Sequence, residues 1–462
     1  SRQLIYGGLI LDNSNLLVGL DIGTTSVKAV VADSGKVIGA VAIPNKGMRH
    51  GKIVDIDQTA SAISRALKEI AEKTNTTIYR VVTGIPVGML QLKTTSDLIN
   101  VGDNGQEIGN KDVKRVLQAA IESAVKDERE PIVFLPSSFL IDGKTDVDDP
   151  RKMIAHSLAV RGILLTAPAS PLHNIKKAIE RAGYQNNFFV PTPLAIASVA
   201  LDESERTFGS IILDLGGGVT TATVIHDGQI KYANIDLEGG SDISNDISVV
   251  LSTSKKDSEQ IKLDYGFADP KLASKKDQFA VNSVGSYGQK MVDEVYLSEI
   301  INARLMQIIN RLGKGLAKHG ALKLPGGVII TGGSSLLQGI DALVADRLGV
   351  KTRIYQPDQM GMRNPIYTAA YGIVNYAYKM SDIDFLVDSA IYGNEVLGQF
   401  EEPVQESSKI SKRPVTASET ETKEAYNRHK LPRSERSPEN RQKNDNQNKS
   451  KGIKNFFKKF FD

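Results

Sequence analysis

The chain has no cysteine in 462 residues, which excludes disulfides, thiolate metal sites and a cysteine nucleophile, and fits a reducing compartment. Its six histidines are scattered, no two at ligand spacing, so no zinc or iron site is expected. No apolar run approaches the ~18 residues of a membrane-spanning helix. The opening segment Leu4-Ile-Tyr-Gly-Gly-Leu-Ile-Leu11 has one preceding positive charge, no small-residue cleavage site, and is closed by Asp12. It reads as a first strand or a loose end rather than a signal peptide. Net charge is also scarce, at +3, but unevenly spread: residues 401–462 hold 15 Lys/Arg against 10 Asp/Glu, leaving 42 against 44 elsewhere. With 40% hydrophobic and 24% charged residues, the composition is that of a soluble globular protein of about three domain-sized units.

What the chain does contain is a repeat. Asp21-Ile-Gly-Thr-Thr-Ser-Val-Lys28 returns 193 residues later as Asp214-Leu-Gly-Gly-Gly-Val-Thr-Thr221, and the register holds through Gly35 with Gly228 and Val37 with Ile230. Each copy reads as strand, Gly/Thr turn, strand, Gly turn, strand. A single glycine turn after an apolar strand is ordinary, because any hairpin can need positive φ. Two copies carrying aligned aspartates, small hydroxyls and backbone N–H groups suit a nucleotide phosphate tail held between two similar domains.

Around these hairpins the patterning gives an α/β organisation. A first domain (1–87) contains a helix from Asp57 to Lys73 and a strand Tyr79–Gly84, and resumes at 166–200 with a helix Pro171–Gly183. Between them, 88–165 reads as an inserted lobe of three long strands and one helix, with Val113, Val116, Leu117, Ala120, Ile121 and Ala124 on one face. The second domain spans 201–245 and 311–365, with a mostly helical lobe at 246–310 that includes a long helix Tyr287–Arg311. Residues 366–390 read as one helix returning to the first domain. Pro193–Ala200 and Pro365–Gly372 share a leading Pro and small residues, which predicts two helices crossing closely at a hinge; two unrelated Ala-rich helices are the alternative. Gly326-Gly-Val-Ile-Ile-Thr-Gly-Gly-Ser-Ser335 reads as a strand, a glycine turn and a Ser at a helix N-cap. Residues 391–449 are too polar to bury a core and read as a disordered linker.

The two clamps, the late Thr-Gly-Gly-Ser turn and the paired hinge helices resemble the actin, heat-shock chaperone and sugar kinase superfamily. That resemblance implies an actin-like ATPase fold of two duplicated domains around a nucleotide cleft, with ATP and Mg2+ as ligands. Asp21 and Asp214 would hold Mg2+ through water. Gly23, Thr24, Thr25, Ser26 and Lys28 would meet the phosphates from one side, and Gly216, Gly217, Gly218, Thr220 and Thr221 from the other. Gly239 and Gly240 resemble the Gly-Gly turn near the nucleotide, Gly332, Gly333 and Ser334 the late turn against the adenosine. Glu259 and Lys262 fall where relatives bind ribose and adenine, although a Glu and a Lys three apart on a helix are also an ordinary solvated pair. Chaperone relatives place a water-orienting Glu just before the first hinge Pro, where this chain has Thr192. A short hydroxyl cannot serve as a carboxylate base, so slow or negligible ATP hydrolysis is expected and no catalytic residue is assigned.

The final segment, 450–462, places Ile453, Phe456, Phe457, Phe460 and Phe461 on one helical stripe, with Lys458 and Lys459 at its margin. Such a stripe beyond a linker suits an anionic bilayer, with docking of the tail onto a protein groove as the other reading. One tail binds weakly; many on a polymer bind firmly. With this terminus and the inserted lobe, the chain is similar to the FtsA family of bacterial cell-division proteins. The family implies filaments on the cytoplasmic side of the cell membrane at the division site, tethering of FtsZ through the lobe near 246–310, and recruitment of later division proteins; no nucleic-acid partner is implied. An enzyme or chaperone of the same superfamily, and the pilus-assembly relative PilM, are the alternatives.

Overall fold

A computed structural model describes residues 16–126, 128–285 and 289–393. The opening segment Leu4–Leu11, Tyr287, the linker beyond 393 and the terminal aromatic stripe lie outside the described residues.

Two five-stranded sheets repeat one topology. The first has β1 (Leu16–Ile22), β2 (Ser26–Asp33), β3 (Lys36–Pro44), β4 (Arg80–Ile85) and β5 (Gln185–Pro191), in the order β3-β2-β1-β4-β5. The second has β6 (Ser210–Leu215), β7 (Thr220–His226), β8 (Gln229–Asp236), β9 (Val328–Thr331) and β10 (Thr352–Ile354), in the order β8-β7-β6-β9-β10. In each, three antiparallel strands are followed by two parallel ones. The second hairpin turns also match: Ser34 and Gly35 in one copy, Asp227 and Gly228 in the other, all have positive φ. That is the twist-compatible two-residue turn that joins adjacent antiparallel strands.

Helix α1 (Ile56–Thr74) and the helix Ala169–Arg181 bury Ile63, Leu67, Ile70, Leu172 and Ile179 against Leu20, Val27 and Val31 of the first sheet. Against the second sheet, α3 (Gly240–Leu251) and α5 (Glu294–Lys318) bury Ile243, Ile247, Ile301, Leu305 and Leu312. Between the halves run α2 (Thr192–Ala200) and α6 (Thr368–Tyr378). Although α2 follows the first sheet, its Leu194, Ile196 and Ala197 pack on Ile212, Ile225 and Ile329 of the second. Conversely, α6 packs Ala370, Ile373 and Val374 on Leu17, Val30 and Phe188 of the first. The two helices touch backbone to backbone: a Cβ at Gly372 would collide with Ala195 O, and Asn375 Nδ2 donates to Ser198 O at 3.0 Å. The small faces read from sequence therefore meet.

A separate antiparallel sheet, in the order Thr145–Val147, Arg129–Ile141, Ser157–Pro168, Gln91–Asn100, is covered on one face by the helix Asn110–Ala124. The helix α7 (Asp382–Tyr392) completes that core with Leu386 and Val387, so the return after Gly372 is two helices rather than one.

Three local expectations are corrected. The segment before the long helix holds a β-hairpin, Gln278–Asn282 with Gln289–Asp293, and α5 starts at Glu294, capped by Asp293, whose side chain accepts from Tyr296 N. Pro365 opens a 3-10 turn, Pro365–Tyr367, ahead of α6. Neither Ser334 nor Ser335 is an N-cap: both lie inside the 3-10 turn Gly333–Leu336, and Ser335 Oγ donates to Gly332 O at 2.7 Å.

Candidate functional site

The two first hairpin turns face each other at the mouth between the sheets. Asp21 on β1 stands directly opposite Lys28 on β2, and Lys28 Nζ lies 3.0 Å from Asp21 Oδ2. The turn between them is held from outside the hairpin. Asn45 N donates to Thr25 O at 2.9 Å and Asn45 Nδ2 to Gly23 O at 2.9 Å. Thr24 Oγ1 accepts from Gly51 N at 3.0 Å.

In the second copy Asp214 stands opposite Thr221, so this clamp has no lysine. Its turn is tied to the start of α3: Gly216 O accepts from Gly240 N at 3.0 Å and Gly217 O from Ser241 N at 2.7 Å. Thr220 Oγ1 donates to Glu238 O at 2.9 Å. The turns approach so closely that a Cβ at Gly217 would strike Thr25 and one at Gly218 would strike Thr24. Glycine at these two positions is what lets the halves close.

Behind the turns lies a cleft of about 840 Å3, within the usual range for small-molecule sites. Its walls bring together all the nucleotide residues expected from sequence except Thr220 and Gly239, which stand behind the wall and brace it. Gly332, Gly333 and Ser334 close the far side. Gly332 has φ +88 and no room for a side chain, because a Cβ there would meet Asp214 Oδ1. Thr192, the first residue of α2, is buried in the same wall.

Asp214 keeps some contact with the cleft's solvent, but its dense surroundings dominate. Desolvation, then the facing Asp21 charge, push its carboxyl up to about 6, with Lys28 pulling the other way. Among the described residues no group of three or more His, Cys, Asp or Glu gathers at metal-ligand distance. Two facing carboxylates with little other support fit Mg2+, which keeps most of its waters and takes further oxygens from phosphates. A divalent cation there would relieve the repulsion that the two aspartates impose on each other.

Glu259 and Lys262, on α4 (Lys255–Tyr265), form an ion pair with a buried lysine and a half-exposed carboxylate. Lys262 is 4% exposed, and its Nζ donates to Gly240 O and to Glu259 Oε2, each at 2.9 Å. Burial lowers the lysine's pKa, and Glu259 partly offsets this. Ser244 Oγ donates to the same Glu259 oxygen. The pair thus joins α3, α4 and the Gly239–Gly240 turn at the cleft wall. Asn45 and Gly51 also belong to the site's framework, and no sequence spacing marked them: each bonds to a turn distant in the chain.

Comparison with known proteins gives a consistent family. Residues 211–372 match the family described as Cell division protein FtsA, and residues 88–166 match the SHS2 domain inserted in FTSA. The chain is 38% identical over 453 residues to cell division protein FtsA of Enterococcus hirae, covering 97% of this chain and 99% of that protein. Against FtsA of Bacillus subtilis strain 168 it is 32% identical, covering 81% and 86%. Among solved structures, a chain of the PilM-PilN type IV pilus biogenesis complex superposes with TM-score 0.54 at 15% identity, covering 79% of this chain and 99% of that one.

Proposed function

The chain belongs to the FtsA family of cell-division proteins, and on that premise we propose that it binds ATP with Mg2+ in the cleft and uses the bound nucleotide to set the angle between its two halves, as an assembling scaffold. A role in cell division through an actin-like fold follows from the family. The observation that carries the finer reading is the opposed pair of turns, with Asp21 and Asp214 facing each other at one cleft and the glycines of one turn seated on the threonines of the other. Phosphates entering between them would meet backbone N–H groups and the Lys28 ammonium already in place, with Asp21 and Asp214 available to an accompanying divalent cation. Thr192 offers only a hydroxyl where a water-activating carboxylate would be needed, which supports slow or negligible turnover.

As a scaffold, the protein would polymerise on the inner face of the membrane, attach through its terminal aromatic stripe and tether FtsZ. The second lobe suits a partner contact, since Val249, Val284 and Met291 are exposed there. Purified protein, FtsZ and anionic liposomes provide the test. ATP with Mg2+ should bind the wild type and bind Asp214→Asn more weakly, and FtsZ should sediment with liposomes only when the protein is present. Rapid ATP turnover, or FtsZ recruitment indifferent to the protein, would overturn the scaffold reading.

A further inference from the structure

Among the described residues, the inserted lobe ends in a strand with one side unoccupied. In the order Thr145–Val147, Arg129–Ile141, Ser157–Pro168, Gln91–Asn100, the last strand is an edge, paired among the described residues only with Ser157–Pro168 and in unbroken register over its ten residues. Val101 N donates to His156 O on the paired side, at 2.8 Å. Leu98 N is instead taken up by its neighbour's carboxylate, Asp97 Oδ1, at 2.8 Å. By the two-residue alternation of a strand, the peptide groups of Leu92, Thr94, Ser96 and Leu98 therefore point outward. Protective devices common on edges, such as proline or a bulge, are missing from this strand, and its charged guards are Asp97 and the inward-turned Lys93.

The sequence of this edge is complementary to itself. Leu92-Lys-Thr-Thr-Ser-Asp-Leu98 reads alike in both directions about Thr95, with opposite charges at the mirrored positions Lys93 and Asp97. We propose that this strand is a docking surface for a second copy of this chain, paired antiparallel about a two-fold axis at Thr95. The outward peptide groups make Leu92 with Leu98 and Thr94 with Ser96 the hydrogen-bonded pairs. Thr95 meets its own counterpart at a close, non-hydrogen-bonded position, and each Lys93 faces the other copy's Asp97. The pairing frees Leu98 N for a ladder bond and covers Leu98, which is 58% exposed in the single chain. Lys93 and Thr95 now bond to Ala124 O and Ala120 O of the lobe's helix, each at 3.0 Å. Both charged partners thus sit on the helix-covered face, away from the exposed Thr94 and Ser96. An isologous contact of this kind closes on itself and joins two copies, no more.

The chain's lack of cysteine makes the test direct. In full-length protein, Thr95→Cys places two thiols on the axis with Cα atoms about 4.5 Å apart, inside the disulfide range. Thr94→Cys, one residue off the axis and facing residue 96, leaves its two copies beyond the ~7 Å limit. On mild oxidation, Thr95→Cys should give a covalent dimer, Thr94→Cys should not, and Thr94→Cys mixed with Ser96→Cys should give the heterodimer. Because Thr95 also bonds to the helix, a charge test runs beside it: by sedimentation, Asp97→Lys should weaken association about tenfold and the added Lys93→Asp should restore it. Equal cross-linking of Thr94→Cys and Thr95→Cys, no cross-link at Thr95, or no rescue by the charge swap would each overturn the pairing.

Discussion

Asp214 is under opposed demands. Burial and the facing Asp21 push its carboxyl up to about 6, while a Mg2+-bound nucleotide calls for the ionised form. A folded-state pKa above the ordinary 3.8 means that the folded chain keeps this proton through a window in which the unfolded chain has released it. The stability linked to this group is therefore fully present below about pH 4 and is lost as pH rises through about 6. In chelator and without nucleotide, Asp214→Asn should melt with a shallower pH dependence than the wild type across that window, and should gain relative stability at its upper end. Calorimetry at several pH values measures this; identical slopes would place the cost elsewhere. Asp21, Gly23, Lys28, Asp214 and Gly216 were legible because one hairpin carries each group at fixed spacing. The Asn45 brace was not, since its bonds to Gly23 O and Thr25 O cross 20 or so residues of chain and read nothing of the side chains they support. Lys262 lines the cleft, but its bond to Gly240 O is something an (i, i+3) spacing does not reveal.

The crossing of α2 and α6 sets a strict packing condition at the scale of elements. Gly372 lies against the carbonyl of Ala195, and Gly19 on β1 lies against Ala370 O and Val374. Gly372→Leu should destabilise the protein by about 1–3 kcal/mol or more, as overpacking does, and should weaken nucleotide binding along with it, because α2 carries Thr192 into the cleft. Urea unfolding followed by nucleotide titration separates the two effects; a stability loss with unchanged affinity would show that the crossing does not set the cleft. Elements with a long, single period were legible, such as α1 and the insertion's helix Asn110–Ala124. The hairpin 278–293 was not, because strands of five residues carry only Phe279, Val281 and Val292 as buried apolar signals. A stretch so short fits either period.

Over the whole molecule, duplication of topology, position by position at the hairpin turns, sets two matching sheets on either side of the α2–α6 crossing. The duplicated order of strands was legible as an offset of 193 residues; the exchange of α2 and α6 between the sheets was not, because apolar faces do not state which sheet they meet. On the proposed scaffold reading, firm membrane attachment would need many weak terminal stripes acting together. Removing residues 451–462, or combining Phe456→Glu with Phe460→Glu, should therefore abolish cosedimentation with anionic liposomes while leaving ATP affinity unchanged; undiminished sedimentation would assign membrane contact to the body.

The closure of the inserted lobe by α7 has a consequence for how the chain is made. Leu386 and Val387 fill a core whose other members lie between Val101 and Leu164. A ribosome delivers the first part long before the second: at usual elongation rates the intervening stretch takes roughly 10–45 s. Throughout that interval the nascent lobe carries an unsealed apolar seam, on the same lobe as the open edge strand. Synthesis thus exposes this lobe's two adhesive features together, and the arrival of α7 leaves only the strand.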